Sequence, residues 1–363
     1  MEEQEILQDI FFLVLYGGVT MLDAVAALYL LLRRGNAIAP EVTSPVRLRR
    51  WAAAFLFVSS LSHLFWLLYV SHPSLTHYVA VCGLDILMLL PTIAGTMLAM
   101  LQDRCRPAWP VFVSLVPAVV MTALCIIRND DALFVPLSVY VVSLYALFTL
   151  YIFFAVRHYG RWLRDNYADL EHKEIWQSIL ILVMFLSFFV VYSSTTTERV
   201  YLYLFQISNI VITGILLWRV ETLQQLAESV PAVAEPADDV PKSSAPPVIP
   251  ANIGPQLKKL CEDGQLYLQH DLTLAQLAQA IGTNRYYLSQ HFAQQNLTYN
   301  GYINGLRIRH FIRLYHEAAA EQRFFTAQQL AYESGFHSYS TFSAAFKHNM
   351  GTTVTAWIRS AAE

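Results

Sequence analysis

Charged residues are scarce in this chain of 363 residues: Asp, Glu, Lys and Arg make up 14% of it, whereas 55% is hydrophobic. A soluble domain carries about 25% charged residues, so part of the chain is not dissolved in water. The formal net charge of −3 averages over regions of different character and therefore identifies no partner. The composition excludes a wholly soluble protein.

Motifs for catalysis and cofactor binding are missing as well. The sequence contains no nucleophile–base pair, no phosphate-binding loop and no cofactor fingerprint, and its His, Cys and acidic residues lack metal-ligand spacing. We therefore expect a protein that is not an enzyme, with no catalytic residue, no cofactor and no metal. The acidic start "MEEQEILQD" also lacks the basic region of a removable signal peptide.

Cysteine is rare, with four residues in the chain. Cys82 and Cys125 fall near the predicted outer ends of two apolar stretches, and a disulfide between them in an oxidising compartment is one alternative. Cys105 and Cys261 are predicted to be free cytoplasmic thiols.

Long apolar stretches are abundant. Seven of them have about the length of 20 residues that crosses a bilayer. Buried core helices of a large soluble protein are the alternative, but several stretches contain no charged residue at all. The seven stretches cover residues 10–32, 51–71, 78–101, 109–127, 134–156, 175–194 and 200–220.

Lys and Arg are distributed unequally between the segments that flank these stretches. The segments on one side contain twelve of them, and those on the other side contain two. Because basic residues concentrate in cytoplasmic loops, we predict a multi-pass protein of the bacterial cytoplasmic (inner) membrane with an extracytoplasmic N-terminus. The odd number of spans then places the C-terminal part in the cytoplasm.

The composition changes after the last apolar stretch. Residues 223–252 are rich in Pro, Ala and acidic residues without apolar periodicity, which is typical of a semi-extended linker. We therefore predict a seven-transmembrane-helix sensor domain at 1–222, a Pro/Ala-rich linker at 223–252 and a soluble domain at 253–363. The predicted fold class is all-α.

Two helix–turn–helix patterns follow one another in the soluble domain. In "LTLAQLAQAIGTNRYYLSQHFAQQ", Thr273 is a candidate helix cap and Gly282 is placed to end the helix. The stretch "FTAQQLAYESGFHSYSTFSAAFKHN" repeats this pattern with Thr326 and Gly335, and the two glycines are 53 residues apart. The sequence between them predicts one long amphipathic linking helix. Many small helical bundles show one such pattern, but two joined by a linking helix are much rarer.

The region from about 257 to 358 resembles the DNA-binding domain of AraC/XylS-type transcription regulators. The matching pieces are "LTLAQLAQAIGTNRYYLSQHF", "YINGLRIRHFIRLY" and "LAYESGFHSYSTFSAAFKHNMGTTVTAW". The resemblance implies two helix-turn-helix units whose reading helices enter successive major grooves. It also implies a promoter site of two short elements about 10 bp apart.

The resemblance also implies roles for individual residues. Arg285 and Lys347 match phosphate-contacting positions, which orient the domain on DNA without reading its sequence. The alternative for Tyr286 and Tyr339 is packing within the domain. The residues at base-contacting positions are Tyr286, Ser289, Gln290, Tyr339, Ser340, Thr341 and Ser343.

The sequence departs from the family pattern at three positions. Gln290 and Ala344 stand where many relatives have Arg, and Val354 replaces the Pro that usually begins the last helix. Fewer cationic contacts release fewer counterions and weaken binding to DNA. We therefore expect tight binding to need two copies, which makes a homodimer a candidate partner beside DNA, the lipid bilayer and RNA polymerase.

Ionisable residues inside the predicted spans are candidates for sensing an unknown signal ligand. Asp23, His63 and Asp85 are the three such residues. His63, Asp85 and Asn209 are predicted at a similar depth, where they would line a sensor pocket that opens outwards. The alternative is that these side chains form structural hydrogen bonds between helices.

These features together predict a membrane-embedded one-component transcription regulator. The alternative is a membrane receptor or transporter-like sensor whose tail acts only after proteolytic release. An intramembrane aspartyl protease would need two facing carboxylates, and a transporter would favour broken helices in paired halves. Neither of these functions accounts for the DNA-binding pattern of the tail.

Overall fold

The computed structural model describes residues 9–33, 35–193, 199–226 and 252–362. Helices account for the regular structure of these ranges, and no strand occurs in them. The chain divides into two compact units: Met1–Tyr159 with His172–Glu228, and Gly160–Glu171 with Ser229–Glu363. Much of the predicted linker, from 227 to 251, lies outside the described residues, and the predicted domain boundaries stay a prediction.

Among the described residues, six helices are long and apolar enough to cross a membrane. They correspond to all the predicted spans except the sixth, where the apolar stretch Trp176–Ser187 is shorter. The helices that begin in the first unit are α1 (Ile10–Leu32), α2 (Val46–Ser71), α3 (Leu75–Met100), α4 (Trp109–Ser114), α5 (Val116–Arg128), α6 (Phe134–Asn166), α7 (Trp176–Ser193) and α8 (Arg199–Thr222).

Two prolines affect the apolar helices differently. The fourth predicted span is divided at Leu115 into α4 and α5, because Pro117 provides no amide hydrogen and its ring crowds the preceding turn. Pro91 lies inside α3, which stays continuous past it. Next to it the Thr92 hydroxyl donates to the carbonyl oxygens of Met88 at 2.8 Å and Leu89 at 3.0 Å.

Helix α6 is longer than its apolar pattern predicts. It ends at Asn166 rather than at residue 156 and is 33 residues long. The added turns carry Arg157, Arg161 and Arg164, so they are too polar for the hydrocarbon region. The last turns of α6, from Gly160, belong to the second unit.

The second unit consists mainly of short helices around the long helix α12. After α9, the chain forms a π-helical stretch at Leu257–Asp263 and a 3₁₀ turn at Leu266–Leu268. The helices are α9 (Ile253–Gln256), α10 (Leu274–Ala280), α11 (Arg285–Gln294), α12 (Tyr299–Ala320), α13 (Ala327–Glu333), α14 (Tyr339–Met350) and α15 (Val354–Ala362).

Helix α12 links two hydrophobic cores. Its N-terminal half packs with α10 and α11, where Leu288 and Phe292 are buried. Its C-terminal half packs with α13, α14 and α15, and the rings of Phe311 and Phe342 lie 4.5 Å apart there. The predicted linking helix is confirmed, and it holds the two helix pairs in one domain.

Candidate nucleic-acid interface

The first helix pair, α10 and α11, is defined by polar caps and one glycine. The Thr273 hydroxyl accepts from the Gln276 backbone amide at 3.3 Å, and the Gln276 side-chain oxygen accepts from the Thr273 backbone amide at 2.8 Å, which forms a capping box. Gly282 has φ +72°, a left-handed conformation that favours glycine. Asn284 then caps α11. The predicted cap and turn residues of this pair are confirmed.

The second pair, α13 and α14, repeats the arrangement. Thr326 caps α13, Ser338 caps α14, and Gly335 between them has φ +88°. Gly335 is also tightly enclosed, because a Cβ atom there would lie 2.8 Å from the Cα atom of Leu268. The position therefore requires glycine for both its backbone conformation and its close packing.

Helices α11 and α14 each bury one face and present the other. Phe342 and Phe346 are buried beneath α14, as Leu288 and Phe292 are beneath α11. The side chains on the opposite faces are short and polar or aromatic. The predicted DNA-contacting residues are exposed at Arg285, Tyr286, Tyr339, Ser340 and Lys347 and half-buried at Ser289, Gln290, Thr341 and Ser343.

The two candidate tyrosines combine packing with exposure. The Tyr286 ring lies 5.6 Å from that of Tyr287, yet half of the residue is exposed. The Tyr339 ring lies 5.7 Å from that of Phe342, and Tyr339 is 38% exposed. Both tyrosines therefore have a ring neighbour and a free edge.

Two of the predicted base-contacting hydroxyls bind carboxylates within the second unit. Ser340 donates to Glu171 at 3.1 Å. The Thr341 hydroxyl lies 3.1 Å from a carboxylate oxygen of Asp169 and 3.1 Å from one of Glu171, and it shares its single hydrogen between them. The sequence pattern did not predict these contacts, because the partners lie about 170 residues away in the chain.

Arg307 on α12 is a central residue that the pattern did not single out. It is completely buried and donates to the carbonyl oxygens of Tyr267 at 2.8 Å and Gln269 at 2.6 Å. Its guanidinium also lies 5.6 Å from the ring centroid of Phe336, in the second pair. Burial lowers the pKa of Arg307 from its usual value. This arginine ties the loop before α10 to the turn between α13 and α14.

The candidate sensor residues lie in two groups of buried polar contacts in the first unit. In one group the Asp23 carboxylate accepts from Ser59 at 2.7 Å, Thr213 at 2.7 Å and Asn209 at 3.2 Å. Asp23 is completely buried. These bonds join α1, α2 and α8, so Asn209 belongs to a cluster centred on Asp23.

His63 extends this cluster, whereas Asp85 has partners of its own. One ring nitrogen of His63 lies 2.8 Å from the backbone carbonyl oxygen of Ser59, whose hydroxyl donates to Asp23, and the other lies 3.1 Å from the Gln206 side-chain oxygen. Asp85 accepts from Ser62 at 2.6 Å and from the Trp66 indole at 2.7 Å. His63 and Asn209 thus share one network, and Asp85 joins α3 to α2 separately.

Cysteine and acidic residues form no further site in the described ranges. All four cysteines are free, so the alternative of a bond between Cys82 and Cys125 is wrong. Within the same ranges, no group of three or more His, Cys, Asp or Glu residues is arranged to hold a metal ion.

Residues 277–360 match the protein family described as a helix-turn-helix domain. The match spans α11, α12, α13 and α14 and supports a DNA-binding domain of the AraC type in this part of the chain. Such a domain is regulatory rather than catalytic. Comparison with curated proteins and with solved structures gives no match.

Proposed function

We propose that the chain is a membrane-embedded one-component transcription regulator that binds promoter DNA through two helix-turn-helix units. The main support is the repeated pair of capped helices, with left-handed glycines at Gly282 and Gly335, within or beside the matched region. Reading helices of such units enter the major groove with their N-terminal residues. The two units would therefore read two elements of one site.

The chemistry of α11 and α14 suits this role. Gln290 can form a bidentate pair with adenine, and Ser340 and Thr341 can bond to several base edges. Arg285 and Lys347 are exposed at positions that suit phosphate contacts. Tyr286 and Tyr339 each present a partly exposed ring for contact with a thymine methyl group.

The membrane part is proposed to cross the bacterial inner membrane seven times. Six helices of sufficient length and apolarity support this, with α7 as the remaining span. The excess of Lys and Arg on one side supports an extracytoplasmic N-terminus and a cytoplasmic DNA-binding domain. One span is enough for an anchor, so the additional spans suggest that this part receives a signal.

Sensing is proposed to involve the buried polar residues. Asn209 bonds to Asp23 directly and His63 joins the same network through Ser59, and this network connects three helices. A ligand or lipid-phase signal that competes for these bonds would change the packing of α1, α2 and α8. Asp85 would respond through its separate contacts with Ser62 and Trp66.

In vitro selection of double-stranded DNA by the full chain in lipid nanodiscs tests DNA binding. We expect enrichment of a site whose footprint has two protected elements about one helical turn apart. Failure to enrich any sequence at low salt, from a monodisperse preparation, would refute the DNA-binding function.

Single substitutions distinguish residues that contact bases from residues that contact the phosphate backbone. Gln290→Ala should relax base preference in one element of the site and cost about 1–3 kcal/mol of discrimination. Arg285→Ala and Lys347→Ala should weaken binding to all sequences and reduce the salt dependence by about one counterion each. Arg309→Ala is the matched control, since Arg309 is exposed on the linking helix α12. Equal effects of all four substitutions would contradict the assigned roles.

Thiol labelling tests the orientation. Cys105 is exposed in the connection between α3 and α4, which is predicted to be cytoplasmic. A membrane-impermeant maleimide should label Cys105 only after the cells are permeabilised, whereas a Ser74→Cys variant should be labelled in intact cells. The reverse pattern would overturn the proposed topology.

Reporter assays in cells test the sensing residues. His63→Ala, Asp85→Asn and Asp23→Asn should change the response to the signal while the DNA affinity of the purified chain is unaltered. Normal responses in all three variants would assign these residues to structural hydrogen bonding alone.

A further inference from the structure

The segment Gly160–Glu171 belongs to the same compact unit as the candidate DNA-binding domain. It contains the last turns of α6 and the residues that follow them, and its twelve residues include three acidic ones and two arginines, with the arginines in α6 and two of the carboxylates after it. We call it the acidic segment. It lies outside the matched region 277–360, so its contacts with that domain need an explanation.

Backbone and amide contacts hold the acidic segment against α12. The Ala168 carbonyl accepts from the side-chain amides of Asn300 at 2.6 Å and Asn304 at 3.1 Å. Ala168 is itself buried in the first hydrophobic core. Tyr167 forms an isolated antiparallel bridge with Thr273, the residue that caps α10. The segment is therefore bound at a specific position.

The carboxylates of the acidic segment lie at the N-terminus of α14. Glu171 accepts from the hydroxyls of Ser338, Ser340 and Thr341. Asp169 is buried and accepts from Thr341. An N-terminus of a helix carries a partial positive charge and attracts anions, including phosphate. Here the anions are two carboxylates, and they engage hydroxyls that the proposed function assigns to base reading.

The third carboxylate of the segment lies near the first reading helix. Asp165 and Ser289 line the same small cleft. Arg285, the proposed phosphate contact of α11, lies close to Tyr167 of the acidic segment. Burial raises the pKa of Tyr167, and the positive charge of Arg285 opposes part of that rise. The acidic segment thus reaches residues of both helix pairs.

We propose that the acidic segment is an autoinhibitory mimic of DNA, which occupies the reading end of α14 and must leave before promoter DNA binds there. This rests on the proposed function. Hydroxyls bonded to Asp169 and Glu171 are unavailable to bases, and the two carboxylates repel the phosphate backbone. DNA and the acidic segment therefore compete for one surface.

The position of the segment in the chain suits control from the membrane part. The chain passes from the second unit to the first between Glu171 and His172. In the first unit His172 is bonded to the end of α8, through its ring to Thr222 at 3.0 Å and through its carbonyl to Gln224 at 2.8 Å. A signal that shifts the end of α8 would act on the peptide bond next to Glu171.

The competition predicts tighter DNA binding when the carboxylates are removed. If the segment is undocked in about one tenth of the molecules, the apparent Kd of the wild type is about tenfold higher than that of an undocked chain. The full-length Asp169→Ala/Glu171→Ala variant in nanodiscs should therefore bind the selected DNA site about tenfold more tightly. Fluorescence anisotropy with a labelled duplex measures this.

A charge-matched variant separates docking from general repulsion. Glu41 and Glu174 are exposed and are predicted to lie on the cytoplasmic side. The Glu41→Ala/Glu174→Ala variant removes the same charge without touching the acidic segment, and its affinity should stay within about twofold of the wild type. Equal affinities of the wild type and both variants would overturn the autoinhibition and leave DNA binding intact. Absence of DNA binding in all three would refute the proposed function itself.

Cross-linking provides a second measurement that does not rely on loss of charge. In a Cys105→Ser background, the Asp169→Cys/Thr341→Cys pair should form a disulfide in the full chain, because a carboxylate oxygen of Asp169 and the hydroxyl oxygen of Thr341 lie 3.1 Å apart. The oxidised protein should lose DNA binding and recover it on reduction. A disulfide that forms without an effect on DNA binding would overturn the proposal, as would failure of the pair to cross-link.

Discussion

Arg307→Met should destabilise the candidate DNA-binding domain more than any change on its surface. Arg307 is fully buried and donates to the carbonyl oxygens of Tyr267, Gln269 and His270. Methionine fills a similar volume but donates no hydrogen bond. Each buried carbonyl left without a donor costs about 1–3 kcal/mol, and removal of a desolvated charge offsets part of the sum. We expect a net loss of about 3 kcal/mol.

Hydrogen exchange in the full-length protein measures this effect locally. Peptides covering residues 265–275 report on the loop whose carbonyls Arg307 binds. Since 1.4 kcal/mol corresponds to a factor of ten, a loss of about 3 kcal/mol should accelerate exchange through local opening roughly 100-fold. The measurement needs no ligand and no knowledge of the DNA site.

Arg309→Met is the control, because Arg309 lies on the same helix and is exposed. Exposed substitutions usually change stability by no more than about 0.5 kcal/mol, so exchange should change less than about threefold. Unchanged exchange in Arg307→Met, or equal acceleration in both variants, would refute the reasoning. The hydrogen bonds of Arg307 would then contribute nothing to the stability of this loop.

Three further predictions concern glycine, the membrane network and thiols. Gly335→Ala should destabilise the domain by about 1–3 kcal/mol more than Gly282→Ala, because the added Cβ atom meets the backbone only at position 335. Hydrogen exchange of the same peptides measures this difference, and equal losses in the two variants would contradict it. Asp23→Ala leaves three buried hydrogen-bond donors without the acceptor they bind. It should therefore lower the thermal stability of the detergent-solubilised chain more than Asp23→Asn does. The opposite order of stabilities would refute the hydrogen-bond network. Burial raises the pKa of Cys261 to about 12. At pH 8 a maleimide should therefore label exposed Cys105 and leave Cys261 unlabelled until the protein is denatured, which mass spectrometry would detect. Labelling of both cysteines in the folded protein would contradict the burial of Cys261.

Local signals explain what could be predicted from the sequence. Capping residues such as Thr273 and Thr326 act within three positions, and the left-handed turns at Gly282 and Gly335 need only their own backbone. These features are set by neighbours in the chain, so a single sequence reveals them.

Contacts between distant residues explain what could not be predicted. The pairing of Thr341 with Asp169 joins positions that no periodic pattern connects. Asn209 was expected beside His63 and Asp85 by depth, but it bonds to Asp23 because helix rotation and tilt also decide which side chains meet. The depth of a residue along its helix gives its position across the membrane but not the direction in which its side chain points.

The weak cationic character of the reading helices and the acidic segment support one control scheme. Ala344 is exposed at a position where the resemblance implies Arg in many AraC/XylS-type regulators. Under the proposed function, α14 would therefore gain little from phosphate contacts, and promoter DNA would compete poorly with an intramolecular anion. A tethered competitor acts at a high effective concentration, yet a population shift of tenfold requires only about 1.4 kcal/mol. That is about the contribution of one or two hydrogen bonds. Loss of one or two of the bonds that dock the acidic segment would therefore be enough to free α14 under this proposal, whereas a strongly cationic helix would bind DNA regardless of the signal.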